Sequence, residues 1–384
     1  MVRIPSRLPS DPWRVLRRKG RGSGFRQRPF DFAQGSGLAR LGLRLTPARL
    51  RLRSRPLDAS TCYSGVILPL PEKSLIARIR SRAPTRKGVI VGMGDDCAIL
   101  RLPPGQETLV TTDFSLEGVH FRRQWHSPEV VGRRCLVRGL SDIAAMGGEP
   151  MAAFLSLALP PKLPQTWVDR FLAGLLKLAD ECNVTLAGGD TAESPSGILA
   201  DIVIVGTAPK GKAIRRSGAR PGDRIYITGE LGGSAATLDL LSSGRKLRVT
   251  DYLRHYHPIP RLEVGRWLRQ HGFASAMIDT SDGLSIDLAH ICEESGVGAE
   301  IHADVIPRAR IGRPAFEVDL KFALHGGEDY ELLFTAPRGQ LVPNRIAGVR
   351  VTEIGQIRRG HGLYLITHGQ RAELKPKGWQ HFTR

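Results

Sequence analysis

Residues 275–296 read SAMIDTSDGLSIDLAHICEESG. SAMIDT is a short apolar run that reads as a strand, with Asp279 at its polar end. SDGLSIDLAHICEESG reads as a helix, capped by Ser281 or Asp282 and closed by Gly296. A short apolar run followed by an Asp beside Gly, Ser or Thr is the device that repeats along this chain. It recurs at GMGDD (Asp95, Asp96), VTTD (Asp113), GLSD (Asp142), LAGGD (Asp190) and here (Asp279, Asp282). One aspartate in a turn is ordinary. Five such sites, each at the end of an apolar run, suggest a common purpose.

Outward from that stretch, the chain alternates strands and helices from Glu72 onward. EKSLIARIRSR is a short amphipathic helix. GVIVGM and ETLVTTD are strands. Pro128–Met146 is a helix opened by Ser127 and Pro128. AAFLSLAL is a strand, Gln165–Cys182 a helix, and VTLAGGD and ILADIVIVGTA strands. After the PGD turn, RIYITG, Glu300–Ala303, DYELLFT and VTEIGQI are strands and GSAATLDLL a helix. The mixture predicts an α/β or α+β fold in two domains, residues 66–210 and 211–384, with the boundary within residues 208–222.

The formal net charge is +19, but residues 1–65 hold 15 basic and 3 acidic residues, or +12. The rest carries 56−15=41 basic and 37−3=34 acidic residues, or +7. Residues 1–65, rich in Arg, Gly, Pro and Ser, read as a disordered extension or a start codon set too early. A targeting peptide and a nucleic-acid-binding arm are the other readings. With the excess confined there, nucleic acid is not the expected partner. No apolar run reaches about 18 residues, so no transmembrane helix is expected. Cys62, Cys97, Cys135, Cys182 and Cys292 form no C-x-x-C pair. They read as small buried hydrophobes in a reducing cytoplasm, not as a disulfide framework or a zinc site.

Converging aspartates need a cation. Two unit charges 4 Å apart repel by about 4 kcal/mol at an effective dielectric near 20. Mg²⁺ takes hard oxygen ligands and is commonly held by carboxylates together with substrate phosphates. Glycines beside the acids (Gly92, Gly94, Gly188, Gly189, Gly232, Gly233, Gly283) let backbone N–H groups approach a phosphate. Arg215 and Arg216 add cations. The P-loop, protein-kinase and G-x-G-x-x-G signatures are absent. The residues by themselves therefore reach a Mg²⁺–nucleotide enzyme of a non-P-loop type.

The ordered set GMGDDCAIL, VTTDFSLEGVHF, LSDIAAMGGEP, AGGDT, RRSGARPGD, MIDTSDGLSIDL, LHGGEDYELLFT and KGWQHF resembles the thiamine-monophosphate kinase family, from about residue 72 to the C-terminus. That family belongs to the superfamily typified by aminoimidazole ribonucleotide synthetase. The resemblance implies ATP-dependent phosphorylation of thiamine monophosphate to thiamine diphosphate, the last step in making that product. It also implies direct in-line transfer with several Mg²⁺ and no general base or phosphoenzyme. The implied fold has two α/β domains, the second a sandwich, in a homodimer whose N-terminal sheets form a shared barrel. By position, Asp96, Thr111, Thr112, Asp113, Asp142, Asp190, Asp279 and Asp282 look like Mg²⁺ ligands, with Asp95 beside them. Gly189, Asp190, Arg216 and Ser281 look like ATP contacts. His120, Glu328 and Trp379 look like contacts to thiamine monophosphate.

Two departures stand out. Ala192 and Glu193 follow GGDT where the family commonly has a small polar residue and an arginine. His325 precedes GGEDYEL where a small residue is common. The rival enzymes are other members of the superfamily: selenophosphate synthetase, a hydrogenase-maturation dehydratase or the purine synthetase. VTTDFSLEGVHF and GGEDYELLF favour the kinase. No reactive Cys precedes Gly92 in a Gly-rich loop, as selenophosphate synthetase would want. The rival of another class, a nucleic-acid binder, would depend on residues 1–65.

Overall fold

The computed structural model describes residues 69–378 and residue 382. The readings of residues 1–65, Cys62 and Trp379 fall outside them. Chain alternation produces two sheets. β1 (Gln106–Leu116), β2 (Glu149–Leu159), β3 (Thr185–Glu193) and β4 (Leu199–Pro209) form a four-stranded sheet in the order β1-β4-β2-β3. β4 is antiparallel to β1 and β2. β2 and β3 run parallel, so their connection needs a crossover, supplied by α3 (Gln165–Glu181).

The second sheet contains β5 (Arg224–Thr228), β6 (Ala276–Asp279), β7 (Gly298–His302), β8 (Leu332–Ala336), β9 (Val349–Arg358), β10 (Leu363–Thr367) and β11 (Gln370–Glu373). Its order is β11-β10-β7-β9-β5-β8-β6, with Arg345–Ile346 paired beside β9. β7 and β10 are parallel and the other neighbours antiparallel. The fold is thus mixed, on the α+β side of the expected class.

Period-two alternation gives the large sheet two apolar faces. Leu332 and Phe334 of β8 join Tyr226 and Met277 in a core shared with α2 (Pro128–Ala145). Leu333 points the other way, with Ile225, Ile227 and Ile278, toward α6 (Leu284–Ser295). α1 (Glu72–Arg82) buries Leu75 and Ile79, and α4 (Gly233–Ser242) buries Ala236 and Leu241. The helix α5 (Leu262–His271) was not anticipated from the sequence. It packs on α2.

α2 is the central element. It contacts α3, α5, β1, β4 and β6. Ser127 holds the N-cap position and Pro128 the first turn as expected, but the Ser127 side chain makes no capping hydrogen bond. Its approach to α3 is possible only without side chains at two positions. A Cβ on Gly132 would lie 1.9 Å from the Phe171 carbonyl oxygen, and one on Gly174 would lie 2.0 Å from that of Glu129.

Three local readings change. α6 has Gly283 at its N-cap, with φ 125°, and neither Ser281 nor Asp282 caps it with a side chain. The Asp287 carboxylate reaches back from the first turn and accepts the N–H groups of Asp282 (3.3 Å) and Gly283 (2.9 Å). The strand expected over DYELLFT starts only at Leu332. Glu328 and Tyr330 have φ of 64° and 54°, left-handed values that cannot continue a ladder. Among the described cysteines, Cys135 and Cys292 are buried, but Cys97 is exposed, against expectation. All four are free thiols. No helix of the described residues is long and apolar enough to cross a membrane.

Candidate active site

β1 sorts its residues by face. Thr111, Asp113 and Ser115 point toward α2, whereas Val110, Thr112 and Phe114 point away. The Thr111 hydroxyl therefore donates to the Asp142 carboxylate of α2. Thr112 donates instead to Asp201 of β4, at 2.7 Å, on the opposite face. The sequence placed Thr111 and Thr112 together; the pleat separates their hydroxyls. Val110 and Phe114 on that outer face are 65% and 55% exposed.

Asp279 ends β6 beneath α2 and is 2% exposed. Its carboxylate accepts the Ser141 hydroxyl at 2.7 Å. Burial, then the Asp142 carboxylate, pushes Asp279 up to about 7. Burial, then Asp142, also pushes Asp113 up to about 7, with Asp201 and Asp282 adding to it. Asp142 is likewise raised by burial, while its Thr111 hydrogen bond and Arg216 oppose this. Three elements thus bring Asp113, Asp142, Asp279 and Asp282 into one field. Thr111, Asp142, Arg215, Arg216, Met277 and Asp279 line a cavity of about 370 Å³ there.

Asp95, Asp96 and Asp190 occupy a different place. They line a cavity of about 640 Å³ with Gly188, Gly189 and Thr191. Asp95 accepts the backbone N–H of Asp96 (3.0 Å), and Asp190 that of Thr191 (2.8 Å). Gly189 has φ 144°, and a Cβ there would lie 1.8 Å from the Leu155 carbonyl oxygen. Its lack of a side chain serves the β2–β3 contact. Glu193 lies in a neighbouring cavity with Pro69, Glu72 and Pro161, which shares only Thr191 with this one. Its reversed charge thus stands apart from Asp95 and Asp96.

Glu328 is the third locus. Burial pushes its carboxyl up, but Arg134 and Arg138 outweigh that and hold it at about 2. Both of these α2 arginines pair with it. Arg134 also donates to the His255 carbonyl. His120 is within electrostatic reach of Glu328, and its Nδ1 accepts the Leu116 N–H at 3.0 Å. The Ser281 carbonyl accepts the Glu328 N–H at 2.8 Å, which ties this loop to the start of α6. His325 finds a partner in the Ser285 hydroxyl, 2.9 Å from its Nδ1. Ser285 also donates to the Lys377 carbonyl at 2.7 Å, so the C-terminal segment reaches the same turn.

Arg134, Arg138, Asp201 and Asp287 escaped the sequence reading. The signal for the first two was their spacing, four residues apart and in step with Asp142 along one row of the helix. Asp201 sits in an alternating strand and carried no such signal.

The donor groups around Asp113, Asp142 and Asp279 are all hard oxygens, which suits Mg²⁺. Their raised carboxyls mark a charge that a cation would relieve. Among the described residues no three His, Cys, Asp or Glu side chains are grouped closely enough to hold a metal ion alone.

Residues 94–208 match the family described as AIR synthase related protein, N-terminal domain. The chain is 41% identical over 327 residues to thiamine-monophosphate kinase of Salmonella typhimurium, covering 81% of this chain and 98% of that protein. Its fold is similar to the crystal structure of thiamine-monophosphate kinase from Stenotrophomonas maltophilia, with a TM-score of 0.68 and 36% identity, over 78% of this chain and 97% of that one. It is also similar to AaThiL complexed with AMPPCP and TMP, with a TM-score of 0.65 and 33% identity, over 73% and 89% of the two chains.

Proposed function

The chain belongs to the thiamine-monophosphate kinase family, and from that premise we propose that it transfers the γ-phosphoryl group of ATP directly to the phosphate of thiamine monophosphate. The observation that carries the proposal is the convergence of Asp113, Asp142 and Asp279 from β1, α2 and β6 beside Arg216. Phosphoryl transfer asks for positioning and charge neutralisation more than for covalent chemistry.

Asp113, Asp142, Asp279 and Asp282, with Thr111, would hold Mg²⁺ at one locus, and Asp95, Asp96 and Asp190 at the other. Bound Mg²⁺ would screen the repulsion between the two facing phosphates. Arg216 would take nucleotide phosphates, with Gly189 and Ser281 lending backbone. The Thr111 hydroxyl fixes the Asp142 carboxylate, and Ser141 fixes that of Asp279, so neither must reorient when phosphates arrive. No general base is required, because the acceptor oxygen is already anionic. His120 and Glu328 would face the acceptor, with Trp379 offering an aromatic face to its cationic ring.

Two domains, divided within residues 208–222, suit the two sheets. A cytoplasmic homodimer completes the reading, joined through the outer face of β1, where exposed Val110 and Phe114 call for a partner. The test is incubation of purified protein with MgCl₂, ATP and thiamine monophosphate, following thiamine diphosphate and ADP by chromatography. Folded protein that makes no diphosphate at any Mg²⁺ concentration would refute the proposal.

A further inference from the structure

α2 carries Arg134, Arg138 and Asp142 at four-residue spacing, so the three side chains form one row. Glu328 closes the arginine end. Arg134 Nη2 donates to its Oε2 and Arg138 Nη2 to its Oε1. The row is graded in exposure: the Arg134 side chain is 4% exposed, Arg138 13% and Glu328 22%. Arg134 is the interior anchor, spent on Glu328 and the His255 carbonyl. Arg138 is the outer member. A guanidinium has five N–H donors, and the bond to Glu328 uses one.

The acidic cluster has cations on both flanks. Arg216 interacts with Asp142 and Asp279, and lines their cavity. Arg138 interacts with Asp113 and is bonded to Glu328. A reaction between two phosphates needs a counter-charge at each. A guanidinium is well suited to a phosphate, presenting paired donors to two oxygens.

We propose that Arg138 is a specificity-determining residue on the acceptor side of the site: held in place by Glu328, it presents its free guanidinium edge to the acceptor's phosphate, as Arg216 does to the nucleotide. This rests on the phosphotransfer reading above. An acceptor without a phosphate gains nothing from Arg138, so the residue selects for a phosphorylated acceptor.

The experiment is calorimetric titration of full-length protein with thiamine monophosphate, thiamine and AMPPCP, for wild type, Arg138→Lys, Arg138→Met and Arg138→Gln. Glu328 keeps Arg134 as its partner in every variant, which guards against loss of the fold. In the Met and Gln variants, affinity for thiamine monophosphate should fall by about tenfold or more, the size of a hydrogen bond to a charged oxygen. Thiamine and AMPPCP affinities should hold, and Lys should recover part of the loss. Equal losses for thiamine and its monophosphate would reduce Arg138 to a structural role and overturn the inference, as would no loss at all. Tight monophosphate binding without turnover in the wild type would sink the proposed reaction and leave this inference standing. Normal turnover with unchanged variant affinities would do the reverse.

Discussion

Asp279→Asn should make the metal-free protein more stable and the enzyme inactive. Asp279 is buried, and burial with the Asp142 carboxylate raises it from its ordinary 3.8 to about 7. A raised acid means that the folded state binds more protons than the unfolded chain between those two values. Stability therefore falls as pH rises through that window, and the whole cost is present above 7. At 1.36 kcal/mol per pH unit the cost is about 4 kcal/mol at most. Relaxation and water entry reduce it, so about 2–4 kcal/mol is the expected gain from removing the charge. Asn keeps an oxygen for the Ser141 hydroxyl. For a folded unit of about 310 residues this gain corresponds to a Tm rise of roughly 3–6 °C. The assay is thermal unfolding in EDTA at pH 5, 6, 7 and 8. The variant should gain most at pH 8 and less than half as much at pH 5, while Mg²⁺-dependent turnover disappears. A lower Tm at pH 8, or a gain independent of pH, would refute the picture of a strained carboxylate kept for a cation.

Asp142→Asn should lower kcat by more than about a hundredfold with the fold retained, if the proposed metal-borne charge neutralisation drives the transfer; near-normal turnover would mean the cluster is misassigned. Gly174→Ala places a Cβ 2.0 Å from the Glu129 carbonyl oxygen and should cost about 1–3 kcal/mol in urea unfolding. A cost within error would show that α2 and α3 are not so close. Val110→Lys with Phe114→Glu, both on the exposed face of β1, should give monomers by light scattering. A variant that stays dimeric would place the interface elsewhere.

Much of the fold was legible because its elements announce themselves locally. Strong apolar periodicity marked β1, β2, β4, α2 and α3, and turn chemistry marked their ends. α5 was missed because its residues stand on a charged background, LEVGRWLRQH, with only Leu262, Val264, Gly265 and Leu268 buried. The N-cap of α6 differs from the expectation because Ser281 and Asp282 have the right chemistry two residues and one residue too early. What satisfies those N–H groups is Asp287, within the helix itself.

The sequence alone marked the candidate acidic residues, because acids at the ends of apolar runs beside glycines have a composition and spacing readable in one dimension. It determined the family for the same reason: the order of motifs is itself linear. Only the tertiary structure decided how those acids divide. Pleating turned Thr112 away from Thr111, and chain crossing set Asp95, Asp96 and Asp190 in one cavity and Asp142 and Asp279 in another. Only packing decided that Glu328 would meet Arg134 and Arg138, 194 and 190 residues away in the chain. Buried charges must find partners, and which partners they find depends on which surfaces meet.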